Sequence, residues 1–205
     1  MFTHSLPLEA ACLSNEKSRR DLHSALSAGG LSPDEMEIVE GLAGLCVHYG
    51  ESKGNGWWTK AVKRELHDLG RSKGYLVYPE KVGKKGDLQH EWLFDLVWLK
   101  AKKTKDYLDW RTIRGMPLAC ESEWLCTEGA LLEDFLKLTL ALTRTRLFIY
   151  QNRPVKTAGG RNHPADLCNK ASLSSHGFRY LLIGYPVKSY PADTDGELRI
   201  DAWTT

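Results

Sequence analysis

Asp95, Glu121 and Glu123 are the residues of this chain whose types and spacing could do chemistry. Asp95 is the one acid in the apolar run WLFDLVWL at 92–99, and Glu121 and Glu123 alternate with Cys120, Ser122 and Trp124 in ACESEW. A β-strand sends alternate side chains to the same face, so the two glutamates are expected side by side. Gathering three carboxylates on neighbouring strands is costly, because like charges repel and partial burial penalises ionisation. A cation is the natural offset. Mg²⁺ or Mn²⁺ fits, since hard cations prefer carboxylate oxygens and water, and Mg²⁺ usually takes only one or two protein carboxylates beside substrate phosphates. Such an ion polarises a phosphate, activates water and stabilises a leaving oxygen.

Each acid also has a structural reading. Asp95 could be an edge-strand charge, or be paired with a structural Arg. Glu121 and Glu123 could mark the solvent face of a half-buried strand, with Leu118, Cys120 and Ser122 forming a weak apolar face opposite.

The elements that must position these residues follow from periodicity. Ser32, Pro33, Asp34 and Glu35 form a helix start, predicting a helix over about 33–46. Gly50 to Gly56 reads as a loop, and a second helix over 59–72 carries Trp58, Val62, Leu66 and Leu69 on one stripe, with Lys60, Lys63, Arg64 and Asp68 elsewhere. Gly70 and Gly74 suit its end. Strands are expected at 75–78, 92–99, 116–124, 146–150 and 180–186, with an edge strand at 198–203. Leu131, Leu132, Phe135, Leu138 and Leu142 predict a helix over 129–142 that contains Glu133, Asp134 and Lys137, and a short helix is expected at 164–171. Residues 1–30 show no clear element, and no internal repeat or low-complexity tract interrupts the pattern.

The strings WLFDLVWLK, ACESEW, EDFLKL and RLFIYQ, in this order, resemble the PD-(D/E)XK nuclease superfamily, over about half the chain, from 58 to 151. The resemblance implies an α/β fold with a restriction-endonuclease-like αβββαβ core, a mixed central sheet flanked by helices, over 57–205. Residues 1–56 would then be an N-terminal helical extension packed on that core. It further implies that Asp95 and Glu121 are the metal-binding acids, with Mg²⁺ or Mn²⁺ as cofactor. Glu123 stands where the family usually has lysine, and an acid there can orient or deprotonate water or add a metal ligand. Lys137, on the following helix, could return the displaced positive charge, or be an ordinary solvated lysine. Glu65, on the preceding helix, could add a fourth carboxylate or pair with neighbouring helix charges.

Composition limits the rest. The 205 residues, 42% hydrophobic and 26% charged, suit one ordinary domain with an irregular N-terminal extension. A net charge of only +2 means that nucleic-acid affinity must come from local clusters. Lys81, Lys84 and Lys85, with Lys100, Lys102, Lys103 and Lys105, could be two phosphate-tracking loops or solvated ones. The stretch from Lys53 to Trp58 reads as a turn before a buried aromatic or as a nucleotide-contacting loop; it has no phosphate-loop consensus. Five cysteines without CxxC spacing predict free thiols in a reducing compartment, and the seven histidines form no zinc motif. No signal peptide or membrane-length apolar run is visible, so a cytoplasmic location is expected.

Three functions are therefore expected in competition. The first is a metal-dependent, endonuclease-like hydrolase cutting phosphodiesters, with DNA favoured over RNA as partner and a homodimer compatible with cutting two strands. The second is a catalytically inactive module of the same fold that binds nucleic acid or protein. In the third the acids are structural and the chain works through its N-terminal region.

Overall fold

The computed structural model describes residues 1–7, 16–48, 54–79, 93–101, 110–172, 177–186 and 197–205. In chain order the elements are β1 (Phe2–Pro7), α1 (Glu16–Ala28), α2 (Pro33–Gly44), α3 (Asn55–Ser72), β2 (Leu76–Tyr78), β3 (Leu96–Lys100) and β4 (Gly115–Glu123). They continue with α4 (Glu128–Thr139), β5 (Thr145–Gln151), the β6–β7 hairpin (Val155–Thr157, Gly160–Asn162), α5 (Pro164–Ala171), β8 (Arg179–Tyr185) and β9 (Glu197–Thr204).

Seven strands form one mixed sheet in the order β1-β9-β8-β5-β4-β3-β2. The pairs β4–β5 and β5–β8 are parallel, while β2–β3, β3–β4, β8–β9 and β1–β9 are antiparallel. Helices cover both faces. Leu22, Ile38, Leu42, Val62 and Leu66 from α1 to α3 pack on Leu96, Leu118, Leu147, Ile149 and Ile183. Leu131, Phe135 and Leu138 of α4, with Ala165 and Cys168 of α5, pack on Val97, Ala119, Phe148, Tyr150 and Leu182 on the other face. The alternation of Leu147 and Ile149 with Phe148 and Tyr150 explains why β5 reads as an unbroken apolar run: both of its faces are buried.

Local signals act as expected at the helix starts. Ser32 and Glu35 form a reciprocal capping box on α2, and Thr127 caps α4 through Ala130 N–H. Gly74, with φ of +78°, follows α3, but Gly70 lies inside the helix. A Cβ there would collide with the Trp98 indole nitrogen, whose N–H donates to Leu66 O at 2.9 Å. The glycine is therefore a docking notch for Trp98, not a helix stop.

The N-terminal expectation is corrected. Residues 16–28 are a helix, and residues 2–7 are not part of a helical extension: they form the edge strand of the central sheet, in register with β9 from Phe2 opposite Ala202 to Pro7 opposite Glu197. No local period marks so short an edge strand; its partner, β9, lies at the far end of the chain. The β6–β7 hairpin is likewise not apparent from periodicity, since its strands are three residues each.

Helix α4 ends at Thr139, earlier than its apolar spacing suggests, and Leu142 beyond it is 83% exposed. Arg146 on β5, fully buried, closes this end: its Nε donates to Leu138 O at 2.7 Å and its Nη2 to Ala141 O, and its guanidinium lies 3.6 Å from the Phe178 ring centre. Arg146→Met is expected to leave these carbonyls without their donors and to cost on the order of 3 kcal/mol. Urea denaturation of the two proteins measures this; a loss under about 1 kcal/mol would show that the helix end does not depend on the guanidinium.

Candidate active site

The antiparallel pairing that sets Leu96 of β3 opposite Cys120 of β4 brings Asp95, in the bend just before β3, alongside Glu121. The side chain of Asp95 is held from two elements. Its Oδ1 accepts from Lys63 Nζ of α3 at 2.9 Å, and its Oδ2 accepts from the Ser122 backbone N–H at 2.9 Å and the Ser122 hydroxyl at 2.7 Å. Lys63 is 2% exposed, so this is a buried ion pair. Four acceptor directions are available on a carboxylate, and these contacts take three of them.

On β4, Glu121 sits on the same sheet face as Ala119, toward α4. It does not mark a solvent face, for it is only 3% exposed. Its carboxyl accepts from the Asp95 backbone N–H, yet its Oε1 has no hydrogen-bond partner among the described residues. Burial, reinforced by the charge of Asp95, pushes Glu121 up to about 9, against the opposing pull of Lys137. It therefore carries a proton at neutral pH unless a cation replaces it.

Glu123 lies two residues on. Its Oε1 accepts from Leu125 N–H at 2.5 Å, and the charge of Asp134 of α4 acts on it. Burial, with the Asp134 charge contributing, raises it above the ordinary carboxylate range. Lys137 reaches the same place from α4, with its Nζ 2.5 Å from Asp134 Oδ1, and its charge bears on Glu121 and Asp95. The charges of Asp95 and Lys137 thus act on Glu121, while the Asp95 carboxylate is held on the Ser122 and Lys63 side and the charge of Asp134 acts on Glu123.

Glu65 is not a fourth member. Residues 63 and 65 are about 200° apart around a helix. With Lys63 aimed at Asp95, Glu65 is carried to a cleft of about 460 Å³ lined by Arg19, Glu37, Glu40 and Gly41. Lys53, Lys81, Lys84, Lys85, Lys102, Lys103 and Lys105 lie outside the described residues, and Lys100 is exposed at the end of β3.

Two participants escape a reading of the sequence, and both leave a signal in it. Lys63, Leu66 and Gly70 share the i, i+3, i+7 spacing, and all three are buried. Asp134 fills the i+3 position of the stripe formed by Leu131, Phe135 and Leu138, a slot that faces the sheet. A charged residue on a core stripe announces a partner inside.

Among the described residues, no three Asp, Glu, His or Cys side chains are gathered into a ready-made metal cage. The donors nonetheless suit a hard cation: carboxylate oxygens only, one of them buried and without a partner among the described residues. The site lies at the carboxyl end of β4, beside parallel β5, where open α/β sheets bind ligands. No helix among the described residues is long and apolar enough to cross a membrane. No family model, curated protein or solved structure matches this chain.

Proposed function

We propose that this chain is a metal-dependent phosphodiesterase of the restriction-endonuclease-like fold, acting on DNA in preference to RNA. The succession α3, β2, β3, β4, α4, β5, with three antiparallel strands followed by a parallel one, supports this reading. So does the placement of an acid before the second of these strands and another within the third. The observation that carries it is the Glu121 carboxyl, buried beside Asp95 with an oxygen that lacks a partner among the described residues. Burying such a group weakens the fold and is retained where a ligand offsets it.

Glu121 and the remaining acceptor direction of Asp95 would hold Mg²⁺ or Mn²⁺. Bound there, the ion would polarise the phosphate and lower the pKa of a water. Glu123 would accept the proton of the attacking water, and the Lys137 ammonium would stand against the charge that develops on the phosphate oxygens. Lys63 holds Asp95 in orientation from behind.

Calorimetric titration with Mn²⁺, together with cleavage assays on DNA and RNA in Mg²⁺ or Mn²⁺, tests the proposal. Binding near one ion per chain and metal-dependent cleavage that Glu121→Gln abolishes are expected. A protein that binds neither ion and leaves every nucleic acid intact would refute it.

One observation favours a second reading. Asp95 is already neutralised by Lys63 and Ser122, as in a purely structural ion pair, and the lysine usual at the position of Glu123 is missing. A catalytically inactive module would bind nucleic acid or protein equally well in chelator and be indifferent to Glu121→Gln.

A further inference from the structure

We infer that the cleft between the amino ends of β5 and β8 and the start of α2 binds a phosphate oxyanion, held by Arg144 and Arg179. The cleft measures about 380 Å³, and both arginines line it, with Glu35, Ser32 and Thr204. Thr145, the first residue of β5, stands opposite Arg179, the first residue of β8, so Arg144, one residue earlier, comes to the same end of the sheet. Glu123 is paired with Tyr150, five residues further along β5, which puts that acid roughly 17 Å away, toward the other end of the strand. The two places are separate, and the cleft does not depend on a metal at the acids.

Arg179 is fixed before any ligand arrives. Its Nε donates to Glu35 Oε1 at 2.9 Å, and its Nη2 donates to Glu35 Oε2 and to Gly30 O, both at 3.4 Å. Glu35 is only 3% exposed, and its Oε2 also accepts the Ser32 N–H at 2.8 Å in the capping box of α2, so the carboxylate is held in turn. A guanidinium carries five N–H donors, and the two on Nη1 of Arg179 have no partner among the described residues. Arg144 is exposed, and its guanidinium has neither a carboxylate nor another hydrogen-bond partner among the described residues. Two guanidinium groups thus share the cleft with one carboxylate, leaving one positive charge in excess. Arginine forks match phosphate oxygens in pairs, and a phosphate presents oxygens in enough directions to take both forks, where a carboxylate fills one. Glu35 already caps α2, so the hold on the anion comes from side chains and not from the helix end. Such a phosphate belongs either to a nucleic-acid backbone or to a small phosphorylated molecule.

Calorimetric titration of the full chain with inorganic phosphate, in chelator and at constant ionic strength, tests this. Saturable binding is expected, weakened at least about tenfold by Arg144→Gln and left unchanged by Arg71→Gln, which removes an exposed arginine in the last turn of α3. Arg144→Lys, which keeps the charge but loses the fork, should fall between the parent and Arg144→Gln. Titration with a short DNA duplex then names the source. If Arg144→Gln also lowers duplex affinity and reduces the slope of log affinity against log salt by about one, the phosphate is that of a nucleic-acid backbone. If duplex binding is absent or unmoved while inorganic phosphate is weakened, the cleft serves a small phosphorylated molecule. Absence of saturable phosphate binding, or equal effects of Arg144→Gln and Arg71→Gln upon it, would overturn the inference and leave the metal-dependent reading untouched.

Discussion

Asp95→Asn is expected to cost on the order of 4 kcal/mol of folding stability, and Lys63→Met nearly as much, while the double variant recovers most of the loss. The Asp95 carboxylate is the partner, 2.9 Å away, of an ammonium that is only 2% exposed. Removing one charge of such a pair leaves the other in a poorly solvated place, whereas removing both replaces two desolvated ions by neutral groups. Asparagine retains an oxygen for Ser122, so the effect isolates the ion pair rather than the hydrogen bonds at Oδ2. Urea denaturation of the four proteins of this cycle at pH 7 measures the coupling, expected on the order of 5 kcal/mol because each single variant strands a buried charge and the double variant does not. Additive losses would mean that the two charges do not depend on one another. The result also bears on function. Asp95 substitutions perturb the fold whether or not the chain is an enzyme, so lost activity in Asp95→Ala is weak proof of a metal ligand.

Glu121→Gln makes the cleaner test, because here stability and activity are expected to move in opposite directions. With Glu121 pushed up to about 9 by burial and by the charge of Asp95, the native state keeps a proton that the unfolded chain releases near 4.5. Stability from this group is therefore fully present below about 4.5, declines as pH rises, and is lost by about pH 9. The isosteric amide has no proton to lose. Glu121→Gln should flatten the decline and be more stable than the parent by on the order of 3 kcal/mol at pH 8. Denaturation profiles from pH 5 to 9 in chelator measure this; parallel profiles for the two proteins would show that Glu121 is not responsible. Adding Mn²⁺ at pH 8 should raise the melting temperature of the parent and leave Glu121→Gln unmoved, since only the carboxylate exchanges its proton for the ion.

The succession of elements from α3 to β5 is legible in the sequence because each depends on short-range pattern. Residues 128–139 repeat every three to four positions, 147–150 form a run of apolar and aromatic residues, and Ser32 with Glu35 writes a helix start into four residues. The two-residue period of a strand likewise puts Glu121 and Glu123 on one face. The grouping of the acids is less accessible. Periodicity puts residues on a face but does not say how a helix is rotated against its neighbours. Trp98 seated over Gly70 sets the rotation of α3, and that rotation turns Lys63 inward to Asp95 and sends Glu65 to another cleft.

The sequence by itself determined the helices and strands from α2 to β5, their order and the strand face that carries the two glutamates. Only the tertiary structure decided that β1 closes the sheet against β9 and that Lys63 neutralises Asp95. The physical reason is range. Helix and strand periods arise from contacts a few residues apart, whereas Thr3 meets Asp201 and Lys63 meets Asp95 only after the sheet has brought distant segments together.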